Sequence, residues 1–404
     1  MAVDGRPGSE PLRLGYIPLT DCAPLVVALE QGLFRDEGLE VVLSREASWA
    51  NIRDKVQLGA LDGAHMLAPL PLASTLGAAG PPRPMAVPLT LSLNGNTITL
   101  AESLCREMQA CAEPDEWCYP VPARLLAPVV QARRREGRPR LRFAMVFPFS
   151  SHNYQLRYWL AAGGIDPDHD VDLVVIPPQF MAANLETGRI DGFCAGEPWG
   201  SQAVARGLGR ILVTSYEIWN NGAEKVLAVT EAWAQRHPTE LQALVHALVR
   251  AGRWLDEPDN RPRAARLLAG YVQADAELLG RALAGALPRA AGEAPCSEPD
   301  FLVFHRYCAG FPWRSHGLWY ARQMQRWGQV SCPEARLIEA VERTFRTDLY
   351  RCAVAGLGWP VPERDWKKEG AHPAPWTLEA AGGAIPMGPD RFLDGVAQPE
   401  PAAG

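Results

Sequence analysis

A histidine, an asparagine and a lysine carry the chemistry legible in this chain. The run Phe147-Pro148-Phe149-Ser150-Ser151-His152-Asn153 leads from a predicted strand into a helical Tyr154-Gln155-Leu156-Arg157-Tyr158-Trp159. A helix mouth just after a strand offers free backbone N–H groups and the positive end of the dipole, and both favour an anion. Further on, Glu217-Ile218-Trp219 precedes Glu224-Lys225-Val226-Leu227. Lysine is scarce here: Lys55, Lys225, Lys367 and Lys368 stand against a large excess of arginine. Together the two segments read as a pocket for a small anion.

The elements that must position these side chains follow an α/β pattern. Segments 12–17, 39–43, 64–67, 87–93, 141–147, 171–176, 192–194, 210–215 and 226–230 read as strands. Helical segments at 23–31, 51–58, 153–162 and 179–187 alternate with them, which predicts sheets with mainly parallel strands. From residue 239 onward the pattern turns helical, at 241–255, 263–271, 276–283, 319–327 and 335–346. Beyond about residue 356 the chain is rich in Pro, Gly and Ala and is expected to wrap the surface or be partly disordered. Segment 102–140 reads as a polar insertion ending in the basic run Arg133-Arg134-Arg135-Glu136-Gly137-Arg138-Pro139-Arg140.

Bulk properties exclude several classes. At 404 residues the chain suits two domains. Its net charge of −6 disfavours nonspecific contact with nucleic acid or anionic lipid. The basic run is therefore read as a solvated helix end and turn rather than a nucleic-acid arm. The N-terminus lacks a basic start followed by an apolar run, and no window is apolar enough to span a bilayer, so a secretory leader and membrane insertion are not expected. Nine irregularly spaced cysteines without a C-x-x-C pair predict reduced thiols and no metal site. No Ser/His/Asp order or Cys/His constellation stands out, so no catalytic residue and no cofactor are assigned.

Several further segments are quoted because they resemble one family. They are Gly15-Tyr16-Ile17-Pro18-Leu19-Thr20-Asp21-Cys22-Ala23-Pro24-Leu25, Ala47-Ser48-Trp49 with Arg53-Asp54, and Asp62-Gly63-Ala64-His65-Met66-Leu67. Leu93-Asn94-Gly95-Asn96, Arg157-Tyr158-Trp159-Leu160-Ala161-Ala162-Gly163-Gly164-Ile165 and Gly196-Glu197-Pro198-Trp199 follow in order. Across roughly residues 12–270 these resemble the solute-binding proteins for nitrate and bicarbonate, the NrtA/CmpA family. The resemblance implies a type II periplasmic-binding-protein-like fold: two α/β lobes joined by two crossing strands, with the ligand cleft between them. Lobe I would comprise 12–92 plus 227–355 with a helical C-terminal part, lobe II 93–226, and the Pro/Gly-rich tail 356–404.

In that family a tryptophan, an amide, a histidine and a lysine grip the oxyanion, and the matching positions are Trp49, Asn96, His152 and Lys225. Asn153 joins them as a candidate at the helix mouth, and Thr20, Asp21, Ser151 and Glu197 are candidates for lining the cleft. His65, beside Asp62, is read as structural. The family's bicarbonate binders place an acidic residue, with calcium, where Lys225 stands, so the resemblance implies nitrate or nitrite. The chemistry agrees, since a flat, singly charged, weakly basic anion needs several donors near one plane and a cation. From the residues alone, Trp49 equally reads as core, His152 as a helix cap and Lys225 as a solvated charge.

The branch most resembled is the cytoplasmic nitrate/nitrite sensor, the NasS type. This implies a regulatory protein that sequesters an RNA-binding antiterminator of the NasT type when ligand-free, controlling nitrate assimilation by transcription antitermination without touching nucleic acid itself. The alternative is the solute-binding component of an ABC importer for nitrate or nitrite, or for cyanate or bicarbonate.

Overall fold

The structure, a computed structural model, describes residues 10–401. Ten strands frame it: β1 Leu12–Tyr16, β2 Val41–Arg45, β3 Gly63–Leu67, β4 Met85–Asn94, β5 Asn96–Ala101, β6 Leu141–Met145, β7 Val171–Val175, β8 Gly192–Gly196, β9 Gly209–Thr214 and β10 Ala223–Thr230. One six-stranded sheet runs from the short strand Leu302–Val303 through β4, β10, β3 and β1 to β2. A five-stranded sheet has the order β7-β6-β8-β5-β9.

The parallel expectation holds for β1 with β2 and β3, and for β6 with β7 and β8. It fails at the crossings: β10 runs antiparallel to β3 and β4, and β5 antiparallel to β8 and β9. The cause is the path of the chain. β4 leaves the first sheet and, after Gly95 alone, enters the second as β5, against the direction of its new neighbours. That passage needs left-handed backbone at Asn94 (φ 59) and Gly95 (φ 95), conformations that Asn tolerates and Gly adopts freely. A side chain at Gly95 would also sit 2.8 Å from Leu302 Cδ1.

Helices cover the sheets according to their apolar stripes. Pro238–Asp256 buries Leu241, Leu244, Val245, Leu248 and Leu255, a helical periodicity that seats it on Ala23–Glu30 in one core. Segment 102–140 is not an appendage. Its helices Glu102–Cys111 and Ala127–Arg135 bury Leu104, Cys105, Met108, Val129 and Val130. The Arg133–Arg135 run falls in the last helical turn, where cations suit the exposed carbonyls. Among the described residues no helix is long and apolar enough to cross a membrane.

The tail, expected to wrap the surface or be partly disordered, is fastened to the rest of the fold by a few side chains. Strands Trp376–Leu378 and Ile385–Met387 pair, and the buried Lys367 ammonium holds Glu369 and, at 3.3 Å, Asp390. Phe392 stacks on Trp219 with ring centroids 5.1 Å apart. Tyr158 Oη donates to Asp394 Oδ2 at 2.6 Å, and Ser315 Oγ to Glu369 Oε1 at 2.6 Å. A Pro/Gly-rich composition disguised these few anchoring side chains.

Candidate functional site

Where the two sheets face each other, a buried polar cluster forms around Lys225. The Lys225 side chain is 0% exposed, and its Nζ lies 2.8 Å from Asp21 Oδ2 and 2.6 Å from Glu224 Oε1. Asp21 follows β1, in the turn Thr20–Cys22. Its other oxygen meets His65 Nε2 at 2.9 Å. His65, expected at a strand end, sits in the middle of β3, fully buried, with its ring 5.8 Å from that of Trp49. Asp62 instead accepts from the Arg13 backbone and from Trp233 Nε1.

The second sheet supplies the opposite wall. Ser150 caps the helix Ser151–Ala162 by accepting from Asn153 N at 3.0 Å. The first turn then aims Ser151 and His152 at Glu224: Ser151 Oγ donates to Oε1 at 2.6 Å, and His152 Nε2 lies 3.6 Å from the same oxygen. Asn96, the first residue of β5, donates from Nδ2 to Glu224 Oε2 at 2.6 Å and to Gln155 Oε1 at 2.9 Å. Gly196 of β8 adds bare backbone, and a side chain there would meet Asn96 Oδ1 and Asp21 Oδ2. Thr20 N donates across the interface to Glu197 O at 2.8 Å.

Charge follows geometry. Burial pushes the Asp21 carboxyl up, but the Lys225 ammonium and the His65 hydrogen bond outweigh it and hold Asp21 below the usual range. Burial pulls Lys225 down, yet Asp21 and Glu224 hold it raised and charged. Burial raises Glu224, opposed by Lys225 and Ser151. Burial, with Lys225 close by, keeps His152 well below its ordinary value and hence neutral, so it offers one N–H donor and one acceptor.

Several buried polar atoms here lack a hydrogen-bond partner: Trp49 Nε1, both ring nitrogens of His152, Thr20 Oγ1 and Asn96 Oδ1. Unpartnered buried polar groups are costly, and the N–H groups of Trp49 and His152 stand free to bond a further group. Trp49, whose helix Trp49–Gln57 is capped by Ser48, brings its ring within 5.7 Å of Lys225 Nζ.

Of the residues singled out from sequence, the structure gathers Trp49, Asn96, Ser151, His152, Asp21, Thr20 and Lys225 in this cluster. Asn153 stands apart: its Nδ2 donates to Pro148 O at 2.7 Å and its Oδ1 accepts from Arg157, so its side chain fastens the helix entry. Glu197 accepts from Ser201 N and Thr97 Oγ1, which fixes the start of the helix Trp199–Ala205. Sequence reasoning left Glu224 and Gln155 unassigned. Gln155 lay within reach, three residues after His152 on one helix face. Glu224 did not, because strand alternation sends neighbours to opposite faces. The register of β10 on β4 skips between Ala223 and Lys225, and this bulge turns Glu224 towards Lys225.

Three comparisons bear on identity. Residues 5–269 match the NMT1-like family. The nitrate import ATP-binding protein NrtC of Synechocystis sp. is 40% identical over 367 residues, 88% of this chain and 51% of that protein, so the chain spans about half the length of that relative. The nitrate/nitrite binding protein NrtA of Synechococcus elongatus is 34% identical over 85% of this chain and 77% of its own length. The crystal structure of the periplasmic nitrate-binding protein NrtA from Synechocystis PCC 6803 superimposes with a TM-score of 0.83 at 28% identity, covering 96% of this chain and 94% of that one. The two sheets joined by crossing strands are therefore a periplasmic-binding-protein-like α/β fold, and the chain belongs to the NMT1-like family, among its NrtA-like solute-binding proteins.

Proposed function

We propose that this chain binds nitrate or nitrite between its two lobes, as the solute-binding part of an ABC-type import system. The observation that carries the reading is the cluster of unpartnered donors, Trp49 Nε1 and His152, beside the buried Lys225 ammonium. A flat monoanion set there takes one charge from Lys225 and directed N–H bonds from His152 and the indole. At an effective dielectric of about 20, an ammonium 3 Å from the anion contributes about 5 kcal/mol before desolvation. Similarity to NrtA and NrtC supports the import role, and the buried Lys225 ammonium supports a monoanion.

Every named donor is at most 1% exposed, so entry and exit require the lobes to part. Closure on the anion would then signal the loaded state to a partner. In an importer that partner is the membrane complex. In the sensor implied by the resemblance it is the NasT-type antiterminator, released when the anion binds, and the chain works in the cytoplasm.

Calorimetric titration of the purified chain with nitrate, nitrite and bicarbonate tests the site. Nitrate or nitrite should bind, and bicarbonate should not. Fractionation of the native protein and a pull-down with and without nitrate separate the two roles. An antiterminator captured only without nitrate would replace import by regulation.

A further inference from the structure

The Glu224 carboxylate already has the donors that an oxyanion needs. Its Oε1 accepts from Ser151 Oγ at 2.6 Å and lies 2.6 Å from Lys225 Nζ, while Oε2 accepts from Asn96 Nδ2 at 2.6 Å. His152 Nε2 stands 3.6 Å from Oε1. The side chain is 0% exposed. A carboxylate is flat, delocalised and singly charged, as nitrate is, so one group substitutes for the other on the same partners. Two such anions in one dry pocket repel strongly.

We infer that Glu224 is an internal stand-in for the ligand, and that the oxyanion enters the site together with one proton taken up by the Glu224 carboxylate. The inference rests on the oxyanion reading above and adds its proton coupling. The proton comes from solvent and adds to a carboxylate oxygen. The resulting carboxylic acid gives up the ammonium and turns from acceptor to donor towards the incoming anion.

The surrounding groups single out Glu224 as the acceptor. From its own strand it faces Lys225, which stays charged between two carboxylates. Asp21, from the turn after β1, is kept ionised by Lys225 and His65. His152, on the helix Ser151–Ala162, is held neutral by burial and by Lys225. Cys194 of β8 and Tyr320 of the helix Arg314–Arg326 lie near enough to feel the Glu224 charge, and burial keeps both protonated. Glu224 alone combines a carboxyl already raised by burial with direct contact to the donors. A new anion beside it raises it further.

Calorimetric titration with nitrate and nitrite from pH 6 to 9, in pairs of buffers of different ionisation enthalpy, counts the protons. The unaltered chain should take up close to one proton per anion, its affinity falling by up to about tenfold per pH unit on the alkaline side. Glu224→Gln should bind more tightly at pH 8 and take up none. Binding by the unaltered chain without proton uptake, or uptake that persists in Glu224→Gln, overturns the inference. If Glu224→Gln does not fold, the proton count of the unaltered chain decides. Absence of binding at every pH, by titration and by thermal shift, removes the oxyanion reading itself and the inference with it.

Discussion

Replacing Lys225 by Met tests most of the reasoning at once. The ammonium lies 2.8 Å and 2.6 Å from two carboxylates and is fully buried. Met keeps the length and apolar stem but strands Asp21 and Glu224 without their cation. Breaking a buried pair from one side costs about 3–5 kcal/mol. With about 2.1 cal/mol/K of melting entropy per residue, 404 residues give about 0.8 kcal/mol/K, so Tm should drop by about 4–6 °C. The pH dependence has a defined sign. In the unaltered chain Asp21 is held below its ordinary value, so its stabilisation is present above the unfolded value near 3.9 and fades as pH falls through the folded one. Without Lys225 both carboxyls rise on folding, so the variant is penalised at neutral pH and relieved by protonation. The Tm gap should narrow from pH 7 towards pH 4. Loss of about 5 kcal/mol of attraction should also weaken nitrate binding by more than about a thousandfold. Scanning calorimetry and titration read both effects. A gap constant with pH, or nitrate affinity within tenfold of the original, would refute the assignment.

Three further substitutions separate donors from scaffold. Trp49→Phe removes an unpartnered buried N–H, so Tm should hold or rise slightly while nitrate affinity, measured by titration, falls by roughly five- to tenfold. Asn153→Ala, in contrast, should lower stability by about 1 kcal/mol in thermal melts and leave anion affinity unchanged, because its side chain bonds Pro148 and Arg157. Tyr158→Phe cuts the bond to Asp394 in the tail; we expect a loss of about 1–3 kcal/mol, with faster hydrogen exchange around Phe392.

Much of the fold was legible because its strands and helices obey simple periodicities. The helix Pro238–Asp256 repeats apolar residues at helical spacing, whereas the crossing strands were implied only by the resemblance and the left-handed step at Asn94-Gly95 emerged with the structure. The resemblance pointed to Trp49, Asn96, His152 and Lys225, which the fold brings near one another; spacing alone left each of them open. Long-range pairing was not legible. Nothing local tells that His65 faces Asp21, or that Asp394 reaches Tyr158. The tail shows the same limit: its composition left surface wrapping and partial disorder both open, and the contacts of Lys367, Glu369, Asp390 and Phe392 that anchor it exist only in the folded chain.

The irregular step in β10 makes the buried polar cluster sensitive to reading-frame-preserving length changes. One surplus residue is what lets adjacent codons deliver a cation and its negative companion to the same chamber. The residues between Ala223 and Val226 are Glu224 and Lys225 themselves, so losing a single amino acid there removes either the cation or the carboxylate outright. It also offsets Val226, Leu227 and the residues after them by one against β4, so a length change here costs both the charge balance of the cluster and the packing of the sheet that carries it.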